Sequence, residues 1–270
     1  MDFPGEDFSS PFFFHGFPEM MDQGSVRTLR MVVEYDGTAY HGWQRQAEGL
    51  SIQEILEEKI AVMTGEPVSV IGSGRTDAGV HALNQVASFR TTSQIPPLGF
   101  LRGLNSLLPA DIVVKAFDEA APSFHARRDA KSKVYFYRIY NGLARPAIYR
   151  HYAWHIVKPL ASDRMKQAAV HLTGRHDFTS FCSTHCDIDD HVRTIHHLLV
   201  EGPENGIVKI SVEADGFLRY MVRIIAGTLV ETGLGKFAAD DLKEILAARD
   251  RRRAGVTAPP CGLFLKEVKY

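Results

Sequence analysis

The stretch KVYFYRIYNG, residues 133–142, decides the fold, because with it the chain begins a pattern that it has already completed once. The stretch alternates as a strand does, with Tyr135 and Tyr137 on one face and Phe136 on the other. After it come a capped amphipathic helix (SDRMKQAAVHLTG, 162–174) and a hairpin (196–216) turned at Pro203 and Asn205-Gly206. The helices FLRYMVRIIAGTLVETG (217–233) and DDLKEILAARD (240–250) and the strand CGLFLKEVKY (261–270) complete that half. Before it, TLRMVVEYDG (28–37) reads as a strand, and SIQEILEEKIAVMTG (51–65) as a helix with Ser51 as N-cap and Gly65 as stop. Strand-like PVSVIGSG (67–74) and ALNQVASFRT (82–91) follow, then a helix at 96–109 and the strand DIVVKAFDEA (111–120). Two rounds of β-α-β-β-α-β describe an α+β protein of two ferredoxin-like halves. They should share one continuous, mainly antiparallel sheet with helices on one face, leaving the other face as a binding cleft. The boundaries read as 1–27 for an extension, 28–125 for the N-terminal half and 126–270 for the C-terminal half. The repeat is one of pattern, without sequence identity between the halves.

The bulk numbers agree with such a protein. A chain of 270 residues with 45% hydrophobic content can bury a sizeable core. The formal charge of −1 does not advertise nucleic acid, but binding depends on a local basic face and not on the total. Three cysteines argue against a disulfide framework and for a reducing compartment. The most apolar run, YMVRIIAGTLVETGLG, is broken by Arg223 and Glu231, so a cytoplasmic protein with no membrane association is expected. Residues 1–27 hold no basic residue before Arg27, which fits neither a secretory signal nor a mitochondrial transit peptide. They read as a flexible extension, with Met20 or Met21 as alternative starts.

The segment GSGRTDAGVHALNQVASF (72–89) places one carboxylate, Asp77, between Arg75 and Gly79 at the mouth of a strand. A plain turn is one reading of those glycines. The Gly-Lys-Ser/Thr ending of a phosphate loop is missing, and a strand follows where a dinucleotide fingerprint requires a helix. A glycosidase needs a partner carboxylate and a hard metal needs several oxygen ligands. If the residue is chemical, a lone nucleophilic aspartate, held ionised by neighbouring arginines, is favoured.

Three other segments bear on chemistry. In FHARRDAKSKVYFYRIYN (124–141), Arg127, Arg128, Lys131, Lys133 and Arg138 interleave with Tyr135, Phe136, Tyr137 and Tyr140, as where cations hold phosphates and rings stack on exposed bases. A half-buried strand with a solvated charged face is the plainer alternative. In the helix at 217–233, Arg219, Arg223 and Gly227 fall on one stripe, and a buried arginine there needs an acid, for which Asp77 is the best candidate. The segment 176–197 holds His176, Cys182, His185, Cys186, His191, His196 and His197, but without the paired spacing of a zinc site, so a polar loop is expected and no metal.

Together these segments resemble the bacterial TruA family of tRNA pseudouridine synthases. The likeness runs through EYDGTAYHGWQRQ, GRTDAGVHALNQVASF, FHAR, YFYRIYN, DFTSF, VRTI, DGFLRYMVRIIAG and APPCGLFL, nearly the whole chain after residue 27. The resemblance implies catalysis by Asp77, extrusion of the target base by Arg75, a Tyr135 ring against the uracil, Arg223 paired with the catalytic carboxylate, and Leu263 packed on the base. It also implies a homodimer acting on uridines 38, 39 and 40 of the tRNA anticodon stem-loop without metal or cofactor. Arg102, Arg127, Arg128 and Lys131 are expected on the RNA face, together with Arg249, Arg251, Arg252 and Arg253. Val134 departs from the family pattern, since some relatives carry arginine there. A non-catalytic tRNA-binding protein and a zinc enzyme built on 182–197 are the rival readings.

Overall fold

The computed structural model describes residues 25–184 and 188–270. In chain order the elements are β1 (Arg27–Tyr35), α1 (Ile52–Thr64), β2 (Ile71–Gly72), β3 (His81–Thr91), α2 (Pro97–Leu107) and β4 (Ile112–Ala120). Then follow β5 (Ser132–Asn141), β6 (Trp154–Ile156), α3 (Ser162–Val170), β7 (Gly174–Asp177), β8 (Val192–Glu204), β9 (Ile207–Ala214), α4 (Met221–Gly233), α5 (Asp241–Ala248) and β10 (Leu263–Lys269).

One sheet runs through the molecule in the order β4-β1-β3-β10-β5-β9-β8-β7, with β2 beside β3 and β6 beside β5. The pairings are antiparallel except β3 with β10 and β5 with β6. The fold is therefore α+β with a large, mostly antiparallel sheet. The last strand fills its middle and joins β3 to β5.

Local chemistry explains the elements. Ser51 Oγ accepts from Glu54 N at 3.3 Å, and Gly65 closes α1 at φ 73°, so both ends of α1 are satisfied. The helix then turns Ile52, Ile55, Leu56 and Ile60 into the core. Register pairs Leu29 with Phe89 and Met31 with Ala87 on the same sheet face, against Phe100 and Leu104 of α2. In the second half Tyr135, Tyr137, Ile210 and Val212 face Ile224, Ile225 and Leu229 of α4. All five helices lie on this one face and contribute to a single hydrophobic cluster.

The opposite face is not bare. Phe136 stacks on Phe264 at 4.8 Å, Phe264 on His81 at 4.6 Å, and Arg138 lies over both phenyl rings. Over this stack runs the chain around residue 152. His81 Nδ1 accepts from Gly37 N, its Nε2 bonds His151 O at 3.0 Å, and the Tyr152 hydroxyl donates to Asp36 at 2.6 Å. The Ala126 amide donates to Ser88 Oγ on the same side.

Three expectations are corrected at the level of elements. Of 67–74, only Ile71–Gly72 pairs as strand, because Ser73 and Gly74 already bend into the loop that follows. The helix expected from Phe217 begins at Met221, since Tyr220 takes φ 64° and breaks the run. Arg219 therefore stands before the helix and not on a stripe with Arg223. Strands β6 and β7 were not foreseen; each has only three or four residues. Most of the expected extension lies outside the described residues, but Arg27 already belongs to β1 and bonds Ser93 O at 2.9 Å.

Candidate active site

The loop that carries Asp77 is propped from below by buried polar groups. Ser73 Oγ donates to Gln85 Oε1 at 2.6 Å, and Gln85 Nε2 donates to Gly74 O at 2.9 Å. Both side chains are fully buried, so each needs the other to offset its desolvation. Thr76 Oγ1 bonds the Tyr35 hydroxyl at 2.8 Å, and Thr76 O accepts from Trp43 N at 3.1 Å. Gly42 sits at φ 91°, and a Cβ there would stand 2.4 Å from Thr76 O, so the close approach of the two loops requires glycine. Asp77 O accepts from Val80 N at 3.1 Å, which closes the turn into β3.

From this turn the Asp77 carboxylate meets α4. Its Oδ2 accepts from Arg223 Nη1 at 3.0 Å, across 146 residues of sequence. Arg223 Nε donates at the same time to Ala258 O at 2.8 Å, so two edges of the guanidinium are fixed. Burial pushes the Asp77 carboxyl above its ordinary range, and the bond and charge of Arg223, with Arg219 behind it, pull only part of the way back.

Tyr220 holds the arginines. Its ring lies 4.9 Å from the Arg223 guanidinium carbon and 5.1 Å from that of Arg219. A bulky residue at φ 64° costs about 1 kcal/mol or more, and the ring between two cations is what this geometry secures. Tyr220→Phe should keep turnover near wild type in a single-turnover assay. Tyr220→Asn suits the left-handed backbone better but removes the ring, and should slow turnover about tenfold, as one lost cation–π contact of 1–2 kcal/mol predicts. Equal rates in the two variants would leave Tyr220 a purely backbone role.

Tyr135 and Leu263 lie on the same sheet face, both nearly buried. Phe217 meets the Tyr135 ring edge-on at 5.1 Å. Burial, with smaller contributions from Tyr35 and Asp77, drives the Tyr135 phenol far above its ordinary range, so it stays protonated. Tyr137, on the same strand face as Tyr135, is fully buried, with its hydroxyl donated to Pro259 O at 2.7 Å.

Asp77, Arg223, Tyr135 and Leu263 thus gather on the helix-bearing side of the sheet, and the expectation of a site on the opposite face is corrected. The physical reason is strand parity. Arg223 comes from a helix, and the side chains that share its side of the sheet are Tyr135 and Leu263, while Phe136 and Phe264 take the other.

The expected basic residues divide. Arg75 does not touch Asp77; it is exposed and its Nε donates to Gln44 at 3.1 Å. Arg102, Arg127, Arg128 and Lys131 are exposed. Of the arginines at 249–253, three make contacts within the protein, and of these only Arg251 is half-buried. Arg251 donates to Gly255 O and Thr257, Arg252 is chelated by Asp250, and Arg249 pairs with Asp177 at 3.0 Å. His185 and Cys186 lie outside the described residues. Among the described residues no group of three His, Cys, Asp or Glu side chains is placed to hold a metal; Cys182 is buried, and His196 and His197 lie on β8 and not in a loop. The sequence reading missed Gln85 and Tyr220. An amide among Ala82, Val86, Ala87 and Phe89 was the available signal for the first; the second had none.

A mostly antiparallel sheet with one carboxylate, one fixed arginine and a protected tyrosine in a cleft is the frame of an enzyme that acts on a large substrate with few groups. The chain belongs to the tRNA pseudouridine synthase family, whose profile matches residues 31–128 and 168–270. It is 47% identical over 245 residues to tRNA pseudouridine synthase A of Thermoanaerobacter sp. (strain X514), covering 91% of this chain and 100% of that relative. The protein of the same name from Pelobacter propionicus (strain DSM 2379 / NBRC 103807 / OttBd1) is 45% identical over the same shares. That of Myxococcus xanthus is 46% identical over 90% of this chain and 91% of its own. Among solved structures, a chain in the crystal structure of a Cbf5-Nop10-Gar1 complex aligns with a TM-score of 0.36 at 12% identity, over 88% of this chain and 48% of that one, too distant to bear on the fold.

Proposed function

We propose that this isomerase converts uridine to pseudouridine at positions 38, 39 and 40 of the tRNA anticodon stem-loop, with Asp77 as the nucleophile. The ion pair of Asp77 with Arg223 at 3.0 Å carries the reading, because it holds an ionisable carboxylate on the side of the sheet where Tyr135 and Leu263 lie. The reaction breaks the bond from uracil N1 to ribose C1′, turns the base and joins C5 to C1′. The C5 proton leaves and N1 gains one, so nothing enters or leaves overall, and one carboxylate suffices to add to the nucleotide and be released. Tyr135 packs on the uracil and Leu263 supports the ring. Extruding the base costs a few kcal/mol, and exposed Arg75 is free to swing from Gln44 to replace it in the stack.

The order β4-β1-β3-β2 in the first half and β10-β5-β9-β8 in the second supports two ferredoxin-like units divided near residue 125. The family resemblance supports a cytoplasmic homodimer that uses no cofactor. No helix among the described residues is long and apolar enough to cross a membrane.

The test is tritium release from C5-labelled uridine in unmodified tRNA, by wild type and by Asp77→Ala, with and without a chelator. Release by wild type alone, indifferent to chelator, is expected. Release by both would remove Asp77 from the chemistry. Salt provides a second check. With Arg102, Arg127, Arg128 and Lys131 on phosphates, log affinity should fall with log salt at a slope of about −3 to −4, near −0.7 to −0.9 per contact. A flat response in a filter-binding titration would take these residues off the RNA face.

A further inference from the structure

Lys133 is a half-buried cation that the reaction above does not use. It precedes Tyr135 by two residues on β5, so its side chain leaves the same face of the sheet. Its stem lies against the catalytic loop: a Cβ on Gly74 would stand 3.4 Å from Lys133 Cε and 3.7 Å from Cδ. No carboxylate pairs with its ammonium group among the described residues. Glu213 on the adjacent strand is opposite Val134, on the other face, and is taken by Ser132 and Lys269. The charge that does bear on Lys133 is a second cation, Arg127, which together with burial pushes the ammonium below the usual lysine range.

A half-buried cation beside another cation is unfavourable unless an anion arrives there. Space is available for one. Trp43, Gln44, Gly72, Gly74, Arg75 and Arg127 line a cavity of about 170 Å³, which Lys133 borders through its contact with Gly74 without lining it. At ~30 Å³ per water that is room for a handful of waters, and so for one phosphate group with part of its hydration. We propose that Lys133 and Arg127 form a binding site for a phosphodiester of the RNA strand next to the target uridine, on the loop that carries Asp77. Lys133 acts as a point charge whose stem is clamped by Gly74, so it fixes how deep the strand enters while Asp77 acts on the nucleotide. This rests on the reading of the cleft as the RNA site.

The experiment compares wild type, Lys133→Met and Lys133→Arg, each shown to melt normally, for binding to an unmodified tRNA across a salt series and for single-turnover conversion. Methionine keeps the packed stem and removes only the charge. Lys133→Met should weaken binding at low salt about tenfold and reduce the salt slope by about 1. Lys133→Arg should restore affinity. A stem-loop with a single uncharged methylphosphonate beside the target uridine should bind wild type weakly and be indifferent to Lys133→Met. An unchanged salt slope in Lys133→Met overturns the site, as does a methylphosphonate effect that adds in full to that of the substitution. Failure of the Asp77 reading is separate, because it would show as turnover by Asp77→Ala with an ordinary salt slope.

Discussion

Asp77→Asn should abolish tritium release, by about 10⁴-fold or more, the scale on which enzymes lose rate when a reacting group is removed. Its affinity for tRNA should hold, since the carboxylate adds nothing to phosphate contacts. The variant should also fold at least as well as wild type at neutral pH. The native carboxyl titrates above its unfolded value, so between the two values the native state binds more protons than the unfolded state. Stability is then lost as pH rises through the native pKa and is fully present only below the unfolded one. A neutral amide escapes that cost and keeps an acceptor for Arg223. Thermal melting at pH 7 checks the stability half; a clear fall in melting temperature would contradict the assigned direction. Substantial turnover by a well-folded Asp77→Asn would end the catalytic assignment.

Arg223→Met should have the second largest effect. The substitution removes the strongest influence that keeps Asp77 ionised, so the carboxyl should rise further. The acid limb of the kcat/KM profile, already displaced upward in wild type, should move to still higher pH. Turnover should fall about 10²- to 10³-fold, as when one preorganised charge partner is removed from a site. Removing one partner of a fully buried pair costs about 3–5 kcal/mol. Here the side chains are 13% and 28% exposed, so about 1–2 kcal/mol is expected. Arg223→Lys should rescue little, because an ammonium cannot bond Asp77 and Ala258 O with two fixed edges. A pH profile unchanged in Arg223→Met would show that another group holds Asp77 ionised.

The sheet was legible where one face of a strand is apolar and the other is not. The alternation in 28–37 and 133–142 and the capped pattern of 51–65 each encode their own structure through local burial and backbone satisfaction. The pairing of Asp77 with Arg223 was also within reach, because an arginine in an apolar helix needs an acid and Asp77, in its Gly-rich loop, was the best candidate. What could not be read depended on contacts far apart in the chain. Tyr220 leaves the helix for a left-handed backbone because its ring is held by Arg219 and Arg223. Arg251 reads as an RNA-facing cation until the turn at 254–257 folds over it and takes its donors. The side of the sheet that carries the site was misread because the helices were treated as a cover, whereas Arg223 itself comes from one of them.

The central place of β10 also has a consequence for how the enzyme comes into being. Among the described strands, only residues 263–269 pair with both halves of the sheet, bridging β3 and β5. That contact spans more than 180 residues of chain and is among the slowest kinds to form. Until that strand is in place, the Asp77 loop and Arg223 lack the seam that sets them face to face.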